Sequence, residues 1–435
     1  MSEREVVITG TGLLTPLGKN FEENWENLKA MKTGIACYPS GNGSQKEDTL
    51  PKYLQYKGKI TQLEIPDNIP PKQQNQMKFL NRGSLLGFCA AHEAVLKAGI
   101  NLSDIPPGRR ALYIATGDFT NIGYDFMYPA IKDGTNGTWQ DMDFEKLNRS
   151  ALNKVNPFFL LESIHNNLFS FLSAFFEFMG PSTSLASLSP CGGQALELAY
   201  RSIKQGKADI ALAVGCGSWV NEIALYELEG LGILSQCRNG VHSFRPFDKN
   251  RDGFIAGEGG AVIVLEALEI AEKRGANILG KIKGCGNCIE FSSGKGLNIP
   301  STVTKRTICL ALEEAGCSTD DLAFIVPHGS STQKGDRSEL KSISGVLENK
   351  KSALPLCGMK PYTGHMGAAS DIAEVILGVQ AVRDKIVPAT LNFHKSEEEF
   401  SDLRISNSHT ECEKTSFLSV SYGIGGHSSS VVVEV

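Results

Sequence analysis

The stretch Leu185-Ala186-Ser187-Leu188-Ser189-Pro190-Cys191-Gly192-Gly193-Gln194 decides how the chain is read. Up to Ser189 its small and apolar residues suit a short buried strand. Beyond Gly193, the residues Ala195, Leu196, Leu198, Ala199 and Ile203 recur at helical spacing until Gly206 ends the run. A cysteine between two such elements sits at the mouth of a helix, where unpaired N–H groups and the helix dipole favour a thiolate over a thiol. The glycines permit a sharp turn and leave space beside the sulfur. The pattern predicts a strand–turn–helix elbow with Cys191 as its nucleophile. A buried structural cysteine is the competing reading.

The rest of the chain is consistent with an α/β architecture. Val6-Val7-Ile8-Thr9-Gly10-Thr11-Gly12 reads as a buried strand closed by a Gly-rich turn. The third glycine of a dinucleotide fingerprint is missing there, which argues against a nicotinamide site. Residues 21–30 and 76–98 read as helices, Ala111–Thr116 and Ile210–Gly215 as further buried strands, and 40–75 as an ordered surface excursion. Strands alternating with helices imply a layered α/β fold. After a helix at Glu266–Arg274 the order strand, helix, strand begins again at Lys281. That predicts two pseudo-duplicated halves, residues 1–266 and 267–435.

Bulk properties bound the function. The chain has 435 residues, 41% apolar and 21% charged, enough for one large core or two intimately packed halves. A net charge of −5 gives no reason to expect nucleic acid or an anionic membrane as partner. Eleven cysteines without framework spacing, and no signal peptide, point to a reducing cytoplasm. Cys285-x-x-Cys288 lacks a second pair at zinc spacing, so no metal is expected. The segment 158–178 holds seven of the chain's 21 phenylalanines, including Phe169. Glu162, His165 and Glu177 interrupt it, so it cannot span a bilayer. Core packing is one reading, and an aromatic wall for an acyl chain or a dimer contact is the other. Arg245–Glu258 reads as a salt-bridged structural loop.

Two histidines complete the constellation. His328 follows the strand Ala323–Pro327, and His365 stands in Tyr362-Thr363-Gly364-His365-Met366-Gly367. Each comes after an extended segment, beside glycine and before a helix. Such positions gather at one face of an α/β sheet, where ligands bind.

With these residues in hand the chain resembles a β-ketoacyl-[acyl-carrier-protein] synthase, a condensing enzyme of the Cys-His-His branch of the thiolase superfamily. The resemblance runs almost end to end. It rests on Val7-Ile8-Thr9-Gly10 with Thr15-Pro16-Leu17-Gly18, the Arg245–Glu258 loop, and His328-Gly329 with Gly335-Asp336 and Glu339. Lys360, Gly364-His365 and Glu374, then Ser421-Tyr422-Gly423-Ile424-Gly425-Gly426, complete it. It implies a thiolase-like fold in an αβαβα arrangement and a decarboxylative Claisen condensation. Cys191 would hold the acyl group as a thioester, and His328 and His365 would stabilise the enolate left when malonyl-carrier protein loses carbon dioxide. Backbone N–H groups of Cys191 and Ile424 would form the oxyanion hole, and Lys360 and Glu374 a supporting ion pair. Ser330 and Thr332 would line the pantetheine channel, with Ile424 and Phe169 as further substrate-binding residues.

The resemblance implies no cofactor beyond the carrier's phosphopantetheine. The implied partners are an acyl carrier protein and a second subunit, either identical or a chain-length-factor-like paralogue. Lys72, Lys78 and Arg82 are candidates for the carrier dock. The chain departs from the family pattern at Pro190, Gln194, Ile424 (most members carry phenylalanine) and His427 (threonine is usual), which suggests a type II polyketide or unusual fatty-acid pathway. Two other readings compete: a thiolase-fold acyltransferase or cyclase that does not decarboxylate malonyl, and a non-condensing partner subunit.

Overall fold

The computed structural model describes residues 3–39, 51–117, 126–138, 140–157, 159, 166–187, 189–292, 298–348 and 354–435. In the first half, β1 (Val6–Leu14), β2 (Arg110–Thr116), β3 (Ser182–Ala186), β4 (Ile210–Ser218) and β5 (Glu258–Ala267) lie side by side in the order 3-2-4-5-1. The second half has β6 (Gly280–Ile289), β7 (Leu322–Val326), β8 (Pro355–Leu356), β9 (Arg404–Ile405), β10 (Ser416–Tyr422) and β11 (His427–Glu434). Its strands run 9-8-7-10-11-6, repeating the first half's order with β9 added at the edge. Each half pairs its outer strands in parallel and its inner ones antiparallel. The halves join where β1 meets β6 antiparallel, at Val7 opposite Lys281 and Ile8 opposite Gly280.

Helices cover both faces. The helix α1 (Phe21–Lys29) opens at the cap residue Asn20, whose side chain accepts from Glu23 N. On the outer face of the first half, α2 (Arg82–Ala98) packs on β1, β4 and β5, with α3 (Asn166–Phe176) beside it. In the second half α5 (Lys305–Ala315) packs on β6 and β11, and α6 (Gln333–Leu347) against α5. Between the halves lie α4 (Cys191–Lys204) and α7 (Ala368–Arg383), and α7 touches strands of both. The layers are therefore αβαβα. Every residue of α7 from Ala368 to Val379 is buried, as a helix enclosed between the two halves of the sheet must be. Two of them, Asp371 and Glu374, are acids, and buried charge requires partners.

Several expectations are corrected. The Gly10–Gly12 segment does not close β1, which runs on to Leu14. Its glycines admit α2: a Cβ on Gly12 would lie 1.9 Å from Ala90 O, and one on Gly10 2.5 Å from Ala94 O. The helix expected over 76–98 is two, Pro71–Met77 and α2, because Asn81 caps α2 by accepting from Ser84 N. The strand before the cysteine is an edge strand: among the described residues β3 pairs only with β2, and Ser182, Thr183 and Ala186 are exposed. The phenylalanines of α3 pack in the outer layer, where the Phe88 ring lies 5.0 Å from Phe171 and 5.2 Å from Phe175. Phe158, and residues 40–50 of the expected surface excursion, lie outside the described residues. No helix among the described residues is long and apolar enough to cross a membrane.

Candidate active site

His328 is delivered by the end of β7, and His365 by the turn between a short helix, Lys360–Thr363, and α7. His365 N donates to Ile255 O (2.9 Å) and Gly257 N donates to His365 O (2.8 Å), which pins the turn to the 245–258 loop. The two imidazoles meet with their Nε2 atoms 3.3 Å apart. Gly367 N donates to His365 Nδ1 (3.2 Å), so the His365 proton sits on Nε2. His328 Nδ1 is buried with no hydrogen-bond partner among the described residues, so none of them fixes a proton on that side. Burial, followed by the positive charge of Lys360, holds both rings well below the ordinary histidine range. Both rings are neutral at physiological pH, and His365 Nε2–H donates to His328 Nε2 across the 3.3 Å gap.

Lys360 Nζ donates to His328 O (2.6 Å) and to both oxygens of Glu374 (2.9 Å each). Burial pushes the Glu374 carboxyl up to about 7, opposed by Lys360. Glu339 accepts from His328 N (2.7 Å) and Gly329 N (2.9 Å), fixing the backbone that presents the ring. Asp336 accepts from Phe247 N (2.8 Å) and Ser330 Oγ (3.2 Å) beside Arg251. Ser330 Oγ lies 3.1 Å from the Tyr422 hydroxyl and 2.8 Å from Thr332 Oγ1.

Both histidines line one narrow cavity of about 70 Å³, and so do Ser330, Thr332 and Ile424. Three aromatic residues that sequence reasoning missed form much of its wall. Trp219 stacks on His365 with ring centroids 4.9 Å apart, Phe254 lies 4.7 Å from the same ring, and Tyr422 lies 4.4 Å from His328. The signal for Trp219 was its place directly after β4, at a strand end. Phe254 stands in the charged loop, where the ionic residues around it drew the reading.

The nucleophile expected at Cys191 is not where the elbow argument put it. Helix α4 begins at Cys191 itself rather than after Gly193. The side chain therefore belongs to the helix's first turn and is fully buried in the central core. Its thiol donates to Ser187 O (3.2 Å), and it is not among the residues lining the cavity. Burial, and then the charge of Asp371, push that thiol up, against the expected thiolate. Ser189 lines the cavity in its place. The closing loop abuts it so closely that a Cβ on Gly423 would lie 1.9 Å from Ser189 O.

The expected oxyanion pair is likewise split, with Ile424 at the cavity and Cys191 outside it. Phe169 packs against the outer layer and takes no part in the lining. Arg82 is engaged by Glu258 at 2.9 Å, whereas Lys72 and Lys78 are exposed. Among the described residues no three His, Cys, Asp or Glu side chains are grouped to hold a metal ion.

Comparison with known proteins places the whole chain. Residues 3–271 match the model of the beta-ketoacyl synthase N-terminal domain, and residues 281–394 that of its C-terminal domain. The chain is 26% identical over 434 residues to 3-oxoacyl-[acyl-carrier-protein] synthase 2 of Staphylococcus aureus (strain N315), covering 99% of this chain and 98% of that one. It is 29% identical to a putative mitochondrial 3-oxoacyl-[acyl-carrier-protein] synthase of Schizosaccharomyces pombe, covering 98% of each. Among solved structures it superposes on a type II polyketide ketosynthase in complex with its acyl-carrier protein, with a TM-score of 0.82 at 24% identity over the whole of both chains. The ishigamide ketosynthase/chain length factor superposes with a TM-score of 0.81 at 21% identity, again over the full length of both. With both domain models matched in order along most of its length, this chain belongs to the beta-ketoacyl synthase family.

Proposed function

We propose that the protein condenses a carrier-bound acyl group with malonyl-acyl-carrier protein, releasing carbon dioxide and forming a β-ketoacyl-carrier thioester. The observation that carries this reading is the neutral histidine pair, with Nε2 atoms 3.3 Å apart inside one cavity. Two N–H donors at that spacing can share one thioester oxygen. His365 already carries its proton on Nε2, and the Nδ1 of His328, unpartnered among the described residues, lets that ring do the same. When the malonyl carboxylate leaves, the electron pair of the broken C–C bond passes into the enolate, whose oxygen the pair stabilises. The enolate carbon then attacks the acyl carbonyl. Ser330 and Thr332 would meet the phosphopantetheine arm, and no metal or redox group enters these steps.

The partners in this reading are an acyl carrier protein, docking near the exposed Lys72 and Lys78, and a second ketosynthase-fold subunit paired along the edge strand β3, in the cytoplasm. The test is carbon dioxide release from malonyl-carrier protein. The wild type should release it, and H328A and H365A should do so about 10²- to 10³-fold more slowly. Equal rates in all three would overturn the reading. One observation favours the second reading, a non-condensing partner subunit: none of the cavity's described lining residues is a cysteine. A subunit of that kind would release no carbon dioxide and accept no acyl group.

A further inference from the structure

We propose that the Ser189 hydroxyl, activated by the Asp371 carboxylate, receives the acyl chain, so that the enzyme works through an oxygen ester. The inference rests on the condensing reading above. Among the described residues of the loop between β3 and α4, Ser189 is the one that shares the cavity with both histidines, while the Cys191 thiol donates to Ser187 O from within the core.

A serine hydroxyl does not ionise unaided near neutral pH and needs an adjacent base. Ser189 Oγ donates to Asp371 Oδ1 at 3.2 Å, and the other oxygen, Oδ2, accepts from Gly192 N at 3.1 Å. One carboxylate oxygen is thus anchored by the backbone, and the other faces the hydroxyl. The approach depends on glycine at 192, where a Cβ would lie 2.2 Å from Ala368 O and 2.9 Å from Asp371 Cβ. Burial raises the Asp371 carboxyl to about 6, with Lys360 opposing. Such a group is still ionised at neutral pH yet more basic than an exposed aspartate.

In the acylation step Ser189 Oγ attacks the carbonyl of the carrier-bound acyl thioester. The Oγ–H proton goes to Asp371, the C–O bond forms, the C–S bond breaks, and the proton passes on to the departing pantetheine thiolate. In the condensation step the malonyl-derived enolate attacks the ester carbonyl. The C–O bond then breaks, and the Ser189 alkoxide takes up a proton from solvent by way of Asp371.

The experiment incubates the full-length enzyme with a carrier-bound acyl thioester and follows the acylated peptide by mass spectrometry, with and without neutral hydroxylamine. Hydroxylamine at neutral pH cleaves thioesters and spares oxygen esters. The wild type and C191A should carry the acyl group on Ser189, resistant to the reagent, and S189A should carry none. S189C, which exchanges the hydroxyl for a thiol, should carry it in a hydroxylamine-sensitive form. D371N should acylate about 10²-fold more slowly, and S189C/D371N should recover to within about tenfold of S189C, because a thiol depends less on the base. An adduct on Cys191, or a hydroxylamine-sensitive wild-type adduct, overturns the proposal. So does steady carbon dioxide release from malonyl-carrier protein with no adduct on the wild type, although that result leaves the decarboxylation reading standing. Absence of carbon dioxide release falls on that reading instead.

Discussion

Glu339 illustrates how single buried groups set the behaviour of this site. It lies behind His328, accepting from two backbone N–H groups, and burial pushes its carboxyl up to about 8 from an ordinary value of 4.5. Because the folded-state pKa is raised, the folded protein keeps a proton that the unfolded chain releases earlier. The stability this group contributes is complete below about pH 4.5 and is lost as the pH rises through about 8. Thermal unfolding from pH 5 to 9 should therefore show the wild type losing ground to E339Q as the pH rises, and a constant difference would refute the assignment. His328 and His365 work in the opposite sense: with pKa values well below 6.5, they penalise the fold only on the acid side. At this scale the glycine-flanked, strand-end settings of His328 and His365 marked two residues whose rings meet in the cavity, whereas Lys360 and Glu374 entered only through the resemblance to the family. It misled at Cys191. Sulfur drew attention to residue 191, but which side chain of a turn faces a cavity depends on where the helix begins. Helix α4 includes both glycines, so residue 189 occupies the turn.

The elements make their own predictions. Helix α2 meets β1 with so little clearance at Gly12 that alanine there should cost about 1–3 kcal/mol by overpacking, read as a fall in the denaturant midpoint. An unchanged midpoint would show that the helix can retreat. Phe169 belongs to the outer layer with α2 and α3, so F169A should lower stability and leave the preference among carrier-bound acyl chains unaltered. A shifted chain-length profile would restore it as a pocket residue. The periodicity of the apolar residues located most of these helices and strands. The break at residues 78–81 was missed because Met77 and Leu80 continue the helical spacing, while the capping side chain of Asn81 overrides it. The edge position of β3 was also hidden, since a strand's place in a sheet depends on its neighbours and not on its own residues.

Across the whole molecule, two halves with one strand order enclose a pair of central helices, and the site forms where elements from both halves converge. The first half supplies Ser189, Trp219 and Phe254. The second supplies His328, His365 and the Tyr422–Ile424 segment. The repeat was legible because strand, helix and strand recur after residue 280. The composition of the cavity was not, because Trp219 and Phe254 reach it from segments more than a hundred residues away from His365. The central claim is that this shared cavity couples loss of carbon dioxide to carbon–carbon bond formation. The most direct measurement follows both products at once, on carrier protein bearing acyl and malonyl groups, with the enzyme alone and together with a paralogous subunit. The account predicts one β-ketoacyl-carrier formed for each carbon dioxide released; release of neither product under both conditions would contradict it.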